Sequence, residues 1–94
     1  MKIGKHTAFM INFISDFVNG DLDRFFFDLD YSAYVIEHFP YMEFENAKIA
    51  DNFVYTVDQA YDFGTALGLS DEEFRVEISK AFEIWLGNME RDIF

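Results

Sequence analysis

The chain has 94 residues, which is enough for one domain with a single hydrophobic core and not for two. Its 18 acidic and 7 basic residues give a formal net charge of -11, which disfavours binding to nucleic acid or to an anionic membrane and favours a basic protein partner. The absence of cysteine excludes disulfides, thiol nucleophiles and cysteine-ligated metals. Because 51% of the residues are hydrophobic and 20% are aromatic, we expect a folded domain with some aromatic side chains at its surface.

The apolar run near the N-terminus is interrupted by Asn12, Ser15 and Asp16, which argues against a signal peptide. No stretch approaches the length of a membrane span. We therefore expect a cytoplasmic protein with a single domain over residues 1–94. No segment alternates apolar and polar residues with a period of two, as a half-buried strand would, so the sequence predicts an all-α fold.

The first predicted helix covers about residues 5–18 and ends at the Asn19-Gly20 pair, because glycine commonly follows the last helical turn. The second covers about 22–39, with Asp21 as its N-cap, and stops at Pro40. Its apolar residues occupy two opposite faces, so it either lies centrally in the fold or uses the second face for contact. The first face carries Leu22, Phe25, Phe26, Leu29, Ala33 and Ile36, and the second carries Phe27, Tyr31, Tyr34, Val35 and His38.

The third predicted helix covers about 45–63, and residues 64–69 follow it as a connection. At about 100° per residue, one of its faces is apolar and the opposite face carries three carboxylates with one tyrosine. The fourth covers about 71–86, with Ser70 and Glu73 as a capping box and Gly87 at its end, before a tail of uncertain order. Four amphipathic helices with short connections predict an antiparallel four-helix bundle. The polar face of the third helix consists of Asp51, Tyr55, Asp58 and Asp62.

The residues carry no motif for catalysis, metal binding or a cofactor. The aspartates of residues 21–30 lack the glycine and the closing glutamate of a calcium loop. His6 and His38 have no further ligand at metal-binding spacing, and Ser70 lacks the Asp-Ser-Leu signature of phosphopantetheine carriers. We expect no catalytic residue, no metal, no cofactor and no enzymatic activity.

Four segments follow one another in a recognisable order: FVNG, DLDRFFFDLDY, IADNFVYTVDQAYDF and LSDEEFRVEISKAFEIWL. This order resembles that of the colicin D-type immunity proteins and of the related all-helical immunity proteins of contact-dependent growth inhibition systems. The resemblance covers nearly the whole chain as helix order and pattern, without an invariant motif. It implies a bacteriocin immunity protein that binds the C-terminal nuclease domain of a cognate toxin, often a tRNase. Acidic side chains would cover the basic active-site cleft of that domain.

Charge complementarity favours the same function, because a nuclease needs cationic residues to hold phosphates and ordered carboxylates complement them. We expect a free protein that is a monomer or a weak dimer. One alternative is an acidic adaptor or nucleic-acid mimic that binds another basic host protein, and another is a catalytic or carrier domain. For each surface residue, an ordinary solvated helix face is also possible. The predicted toxin-binding residues are Asp51, Tyr55, Asp58 and Asp62, flanked by Tyr31, Tyr34 and Glu37.

Overall fold

The computed structural model describes residues 3–93, with side chains through residue 91, and confirms the all-α class. Within this range the chain forms four helices and no strand. Helix α1 is Lys5–Val18 and α2 is Arg24–Glu45. Helix α3 spans residues 47–67, and α4 is Asp71–Ile93. None of the helices described combines the length and the hydrophobicity needed to cross a membrane.

Helix α2 passes through Pro40, so the prediction that it stops there is wrong. Proline removes one helical hydrogen bond, but the turn that follows it gains tertiary contacts. Met42 is fully buried, and the Glu45 carboxylate is held by α1. Asn46 then ends α2 and starts α3. Its backbone N–H donates to the Met42 carbonyl, and its side chain accepts from the backbone N–H groups of Lys48 and Ile49. The predicted N-cap Asp21 is also wrong, because Asp23 accepts from the Phe26 N–H at 3.1 Å.

Glu45 caps α1 from a distance along the chain. Its carboxylate accepts hydrogen bonds from the His6 N–H, the Thr7 N–H and the Thr7 hydroxyl at 2.8, 3.0 and 2.7 Å. Partial burial raises the pKa of Glu45, but these hydrogen bonds and His6 outweigh it and leave the pKa below its usual range. A Cβ atom at Gly4, the residue before α1, would collide with this carboxylate, so the cap requires glycine there.

Helix α3 contains three segments: an α-helical Ala47–Phe53, a π-helical turn Val54–Asp58 and an α-helical Gln59–Leu67. It ends at Gly68, whose φ of 64° is the left-handed conformation that glycine adopts without strain. The predicted end at residue 63 is therefore wrong. Gly64 remains helical because α4 approaches it closely, with Phe74 against its backbone.

Helix α4 begins with the predicted capping box, because Ser70 and Glu73 exchange backbone and side-chain hydrogen bonds at 3.2 Å. It continues past Gly87 to Ile93, and the buried Met89 explains why the helix does not end at this glycine. Residues 88–93 of the tail, whose order the sequence leaves open, are thus helical, whereas Phe94 lies outside the described residues.

The core is built mainly from aromatic rings that connect the helices. Phe17 of α1 stacks on Phe27 of α2 with ring centroids 4.1 Å apart, and Tyr31 of α2 stacks on Tyr61 of α3 at 3.9 Å. Trp85 of α4 is fully buried and donates its indole N–H to the Ile49 carbonyl at 3.0 Å. Each such side chain contributes about 1.5–3 kcal/mol by leaving water.

Only one of the two apolar faces of α2 is buried. Phe27, Tyr31 and His38, from the second predicted face, pack inside. Phe25 and Ile36, from the first, are 69% and 76% exposed. Helix α2 is therefore not surrounded by protein, and the prediction that its second face serves for contact is wrong, because that face packs inside and the first face is exposed.

Candidate interaction surface

Two of the predicted carboxylates meet in a groove between α2 and α3. Asp58 and Asp62 of α3 line it together with Tyr31, Ser32, Val35, Ile36 and Tyr61, and we call this set the α2–α3 groove. An adjoining depression on the outer side of α3 shares both aspartates and includes Tyr55 and Phe63. Three exposed apolar or aromatic side chains therefore flank the two acids: Ile36 at 76%, Tyr55 at 75% and Phe63 at 64% exposure.

Asp58 is half-buried at the floor of this groove, and its Oδ1 atom accepts a hydrogen bond from the Tyr31 hydroxyl at 2.8 Å. Burial raises the pKa of Asp58, the Tyr31 hydrogen bond lowers it, and the charge of Asp62 raises it again, with a net increase. None of these influences comes from a cation. Asp58 is thus a carboxylate whose charge would be stabilised by a positive group entering the groove.

The tyrosines below the carboxylates are fixed in their neutral form. Burial, followed by the charge of Asp58, raises the pKa of Tyr31 far above its ordinary value. Burial, followed by the charge of Asp28, raises the pKa of Tyr61 to about 12. The Tyr61 hydroxyl donates to Asp28 at 3.1 Å, and the Arg24 Nε donates to the other oxygen of Asp28 at 2.9 Å. Both hydroxyls therefore act as donors that orient carboxylates.

The structure separates the predicted toxin-binding residues. Tyr55 and Asp62 are exposed beside the half-buried Asp58. Asp51 is exposed as well, but it lines neither the groove nor the adjoining depression. The π-helical turn Val54–Asp58 follows Asp51, and it takes more residues per turn than the regular α-helix on which the prediction relied.

The three expected flanking residues lie in different surroundings. Tyr31 is only 2% exposed, so it supports Asp58 from below and offers no ring to a partner. Tyr34 packs edge-on against Phe9 and Phe13 of α1 and does not line the groove. Glu37 is exposed next to His38 and likewise does not line it.

Sequence reasoning missed Ile36, Tyr61 and Phe63 as members of this surface. Ile36 lies on the face of α2 that the sequence offers equally well to the core. Phe63 stands at the predicted helix end, and its exposure follows from the continuation of α3 to Leu67. The signal that could have found Ile36 is the presence of two apolar faces on α2, because a helix with two apolar faces in a small domain leaves one of them at the surface.

The arrangement can receive a guanidinium or ammonium group. Two neighbouring carboxylates offer oxygen acceptors, and the faces of Tyr55 and Phe63 beside them can contact a cation or its aliphatic stem. Among the side chains described, those of residues 3–91, no three of His, Asp or Glu are placed to hold a metal ion. Comparisons of the chain with protein-family models, with curated proteins and with solved structures give no significant match.

Proposed function

We propose that this protein is an immunity protein that binds the basic nuclease domain of a cognate bacterial toxin in the cytoplasm, an RNase or tRNase domain, and blocks its active site. The scaffold in this proposal is an antiparallel four-helix bundle. The pairing of helix ends supports it, because α1 contacts α2 through Phe17 and Phe27 near their connection and through Thr7 and Glu45 at the far ends. Likewise α3 contacts α4 through Gly64 and Phe74 near their connection.

One observation carries the proposal: the half-buried carboxylate of Asp58 lies beside Asp62 in a groove with an exposed apolar border. The raised pKa of Asp58 means that the free protein holds this charge at a cost. A lysine or arginine from a basic partner would offset that cost as it enters. Exposed ion pairs alone contribute little, whereas a desolvated pair beside aromatic anchors contributes more.

The mechanism follows from charge and occlusion. A net charge of -11 attracts a basic domain over a distance and speeds the encounter. In the complex, Asp58 and Asp62 would occupy the position of two substrate phosphates against the cationic residues of the nuclease. Tyr55 and Phe63 would pack at the border of the contact and exclude water. RNA could then no longer reach the catalytic groups.

The alternative is an acidic adaptor or nucleic-acid mimic that uses the same groove on another basic host protein. The overall charge supports both readings equally, since it specifies a basic partner and not its activity. Co-expression separates the two, because only an immunity protein restores growth to cells that produce the toxin domain. A large secreted protein that ends in a basic domain and is encoded immediately upstream would favour the immunity function, and its last domain would be the one to co-express.

The test removes the two groove charges through Asp58→Asn and Asp62→Asn. Asparagine keeps an oxygen that can accept the Tyr31 hydrogen bond, so we expect the fold to persist. Affinity for the toxin domain should fall at least about tenfold, with loss of protection in co-expression. The matched control is Glu83→Gln with Glu90→Gln, two exposed residues of α4 that lie outside the groove, which removes the same charge.

Helicity by circular dichroism should be unchanged in both double variants. If the groove variant binds and protects as well as the control, the α2–α3 groove is not the toxin-binding site. If the unmodified protein neither binds nor protects against the neighbouring basic domain, the immunity function itself is wrong.

A further inference from the structure

The exposed face of α2 carries a continuous row of apolar side chains. We define the α2 stripe as Phe25, Leu29, Ala33, Ile36, Pro40 and Phe44, all of which are exposed. Leu29 is 64% and Phe44 is 92% exposed. Successive members are three or four residues apart, so they follow one side of the helix. The stripe extends for about 28 Å, at 1.5 Å per residue over 19 steps.

Single exposed apolar residues are ordinary, but a row of this length along one helix marks a contact surface. Its shape suits a second helix. Side chains at this spacing form the ridge that packs into the groove of a neighbouring helix. The small Ala33 between Leu29 and Ile36 leaves a notch at the middle of the stripe, where another backbone can approach closely.

The charges beside the stripe decide what kind of helix fits. Helix α2 carries a single arginine and five acidic residues. Glu45 caps α1 and Asp28 accepts from Arg24, which leaves three acids as the flanking charges of the stripe: Asp30, Glu37 and Glu43. Arg24 is already engaged, at 2.9 Å from Asp28 and 3.5 Å from Asp71. A second copy of this chain would bring these acidic flanks against each other, and like charges repel. Lysine or arginine on both sides of an apolar face would complement them.

Ile36 connects this stripe to the α2–α3 groove, because it belongs to both. A helix lying on the stripe therefore passes beside Asp58 and Asp62. We infer that the α2 stripe docks an amphipathic basic helix of the partner, with its apolar face on the stripe and one of its flanking cations in the groove. This inference rests on the proposed function, and it adds the structural element by which the basic partner is recognised.

The direct test uses a synthetic helix as the probe. It is a fluorescein-labelled peptide of about 20 residues, the length of the stripe, with leucines along one face and lysines on both flanks. Two control peptides have the leucines shuffled or the lysines replaced by glutamate. We expect saturable binding, measured by fluorescence anisotropy, for the first peptide and a loss of at least about tenfold for either control.

The protein variants match the peptide controls. Leu29→Ser with Ile36→Ser should weaken peptide binding at least about tenfold. Val76→Ser with Ile84→Ser, which alters two exposed apolar residues of α4, should leave it within about twofold. All four positions are exposed, so we expect both variants to fold, and circular dichroism checks this.

Three results would overturn the inference. The stripe variant could bind the peptide as tightly as the control variant, or the shuffled peptide could bind as well as the ordered one. Sedimentation equilibrium could also reveal a dimer of the free protein that the stripe variant loses, which would assign the stripe to a second copy.

Co-expression separates this inference from the proposed function. If the stripe variant still protects against the toxin domain while the groove variant does not, the inference fails and the proposed function stands. If neither the unmodified protein nor any variant protects, the proposed function fails, and ordered peptide binding that depends on Leu29 and Ile36 still supports the basic-helix site.

Discussion

Asp58 shows how a single residue can be held in a state that opposes folding. Its burial and its proximity to Asp62 disfavour the charged form, and the Tyr31 hydrogen bond compensates only in part. The groove therefore holds a carboxylate at a position where a neutral amide would make the free protein more stable. Retaining charge at such a position is typical of a binding site, since the partner supplies the missing counter-charge.

Asp58→Asn should therefore leave the free energy of unfolding at pH 7 at or above that of the unmodified protein. The pKa of Asp58 is higher in the folded protein than in the unfolded chain, so its protonated carboxyl favours the folded state. This contribution to stability is fully present below the unfolded pKa and is lost as the pH rises through the folded pKa. The advantage of the variant should thus disappear towards acid pH. Urea titrations between pH 3 and pH 7 would check this, and a variant less stable at pH 7 would contradict it.

At the scale of the helix, the local apolar pattern predicts where a helix forms, whereas contacts with distant residues determine which of its faces is buried and where it ends. Apolar spacing predicts four helices and the limits of α1, because its apolar face is single and its end is marked by Asn19-Gly20. For α2 the same spacing gives two faces and cannot choose between them. The choice follows from partners far along the chain: Phe27 meets Phe17, and Tyr31 meets Tyr61.

The helix ends and the composition of the groove also depend on tertiary contacts, which the local sequence does not predict. Local propensity ends α2 at Pro40, but burial of Met42 and the bond from Thr7 to Glu45 extend it. A regular helix predicts Asp58 and Asp62 on one side of α3, and both line the groove, but no local signal predicts the π-helical turn Val54–Asp58. Ile36 enters the groove only because the opposite face of α2 is buried.

Alanine substitutions at Gly64 and Gly87 compare two effects on stability: a steric clash between packed helices and the higher helix propensity of alanine. A Cβ at Gly64 would lie 2.7 Å from the Cδ1 atom of Phe74, whose ring is fully buried, so Gly64→Ala should destabilise by about 1–3 kcal/mol. At Gly87 such a Cβ would meet no atom within 4 Å apart from its chain neighbours and the backbone of its own helix, so Gly87→Ala should stabilise by about 0.5–1 kcal/mol. Urea denaturation would measure both. Equal effects of the two substitutions would show that α3 and α4 do not approach closely at Gly64.

At the scale of the whole molecule, the net charge of -11 acts on folding and on binding in opposite directions. Repulsion among 18 acidic side chains raises the free energy of the compact state. The same field accelerates the approach of a basic partner. An acidic surface of this density is thus a cost to the isolated protein that capture of a cation can offset.

Salt should separate these two effects. Raising sodium chloride from about 0.1 M to about 1 M shortens the screening length from about 10 Å to about 3 Å. The free protein should then become more stable to urea, because repulsion between its carboxylates is screened. The association rate with the lysine-flanked peptide should fall by about tenfold or more, while its dissociation rate changes much less. Stopped-flow anisotropy measures both rates.

The Glu83→Gln, Glu90→Gln control should show a shallower salt dependence of the association rate, because it carries two fewer charges far from the contact. An association rate that does not respond to salt would show that the field of the protein does not guide its partner.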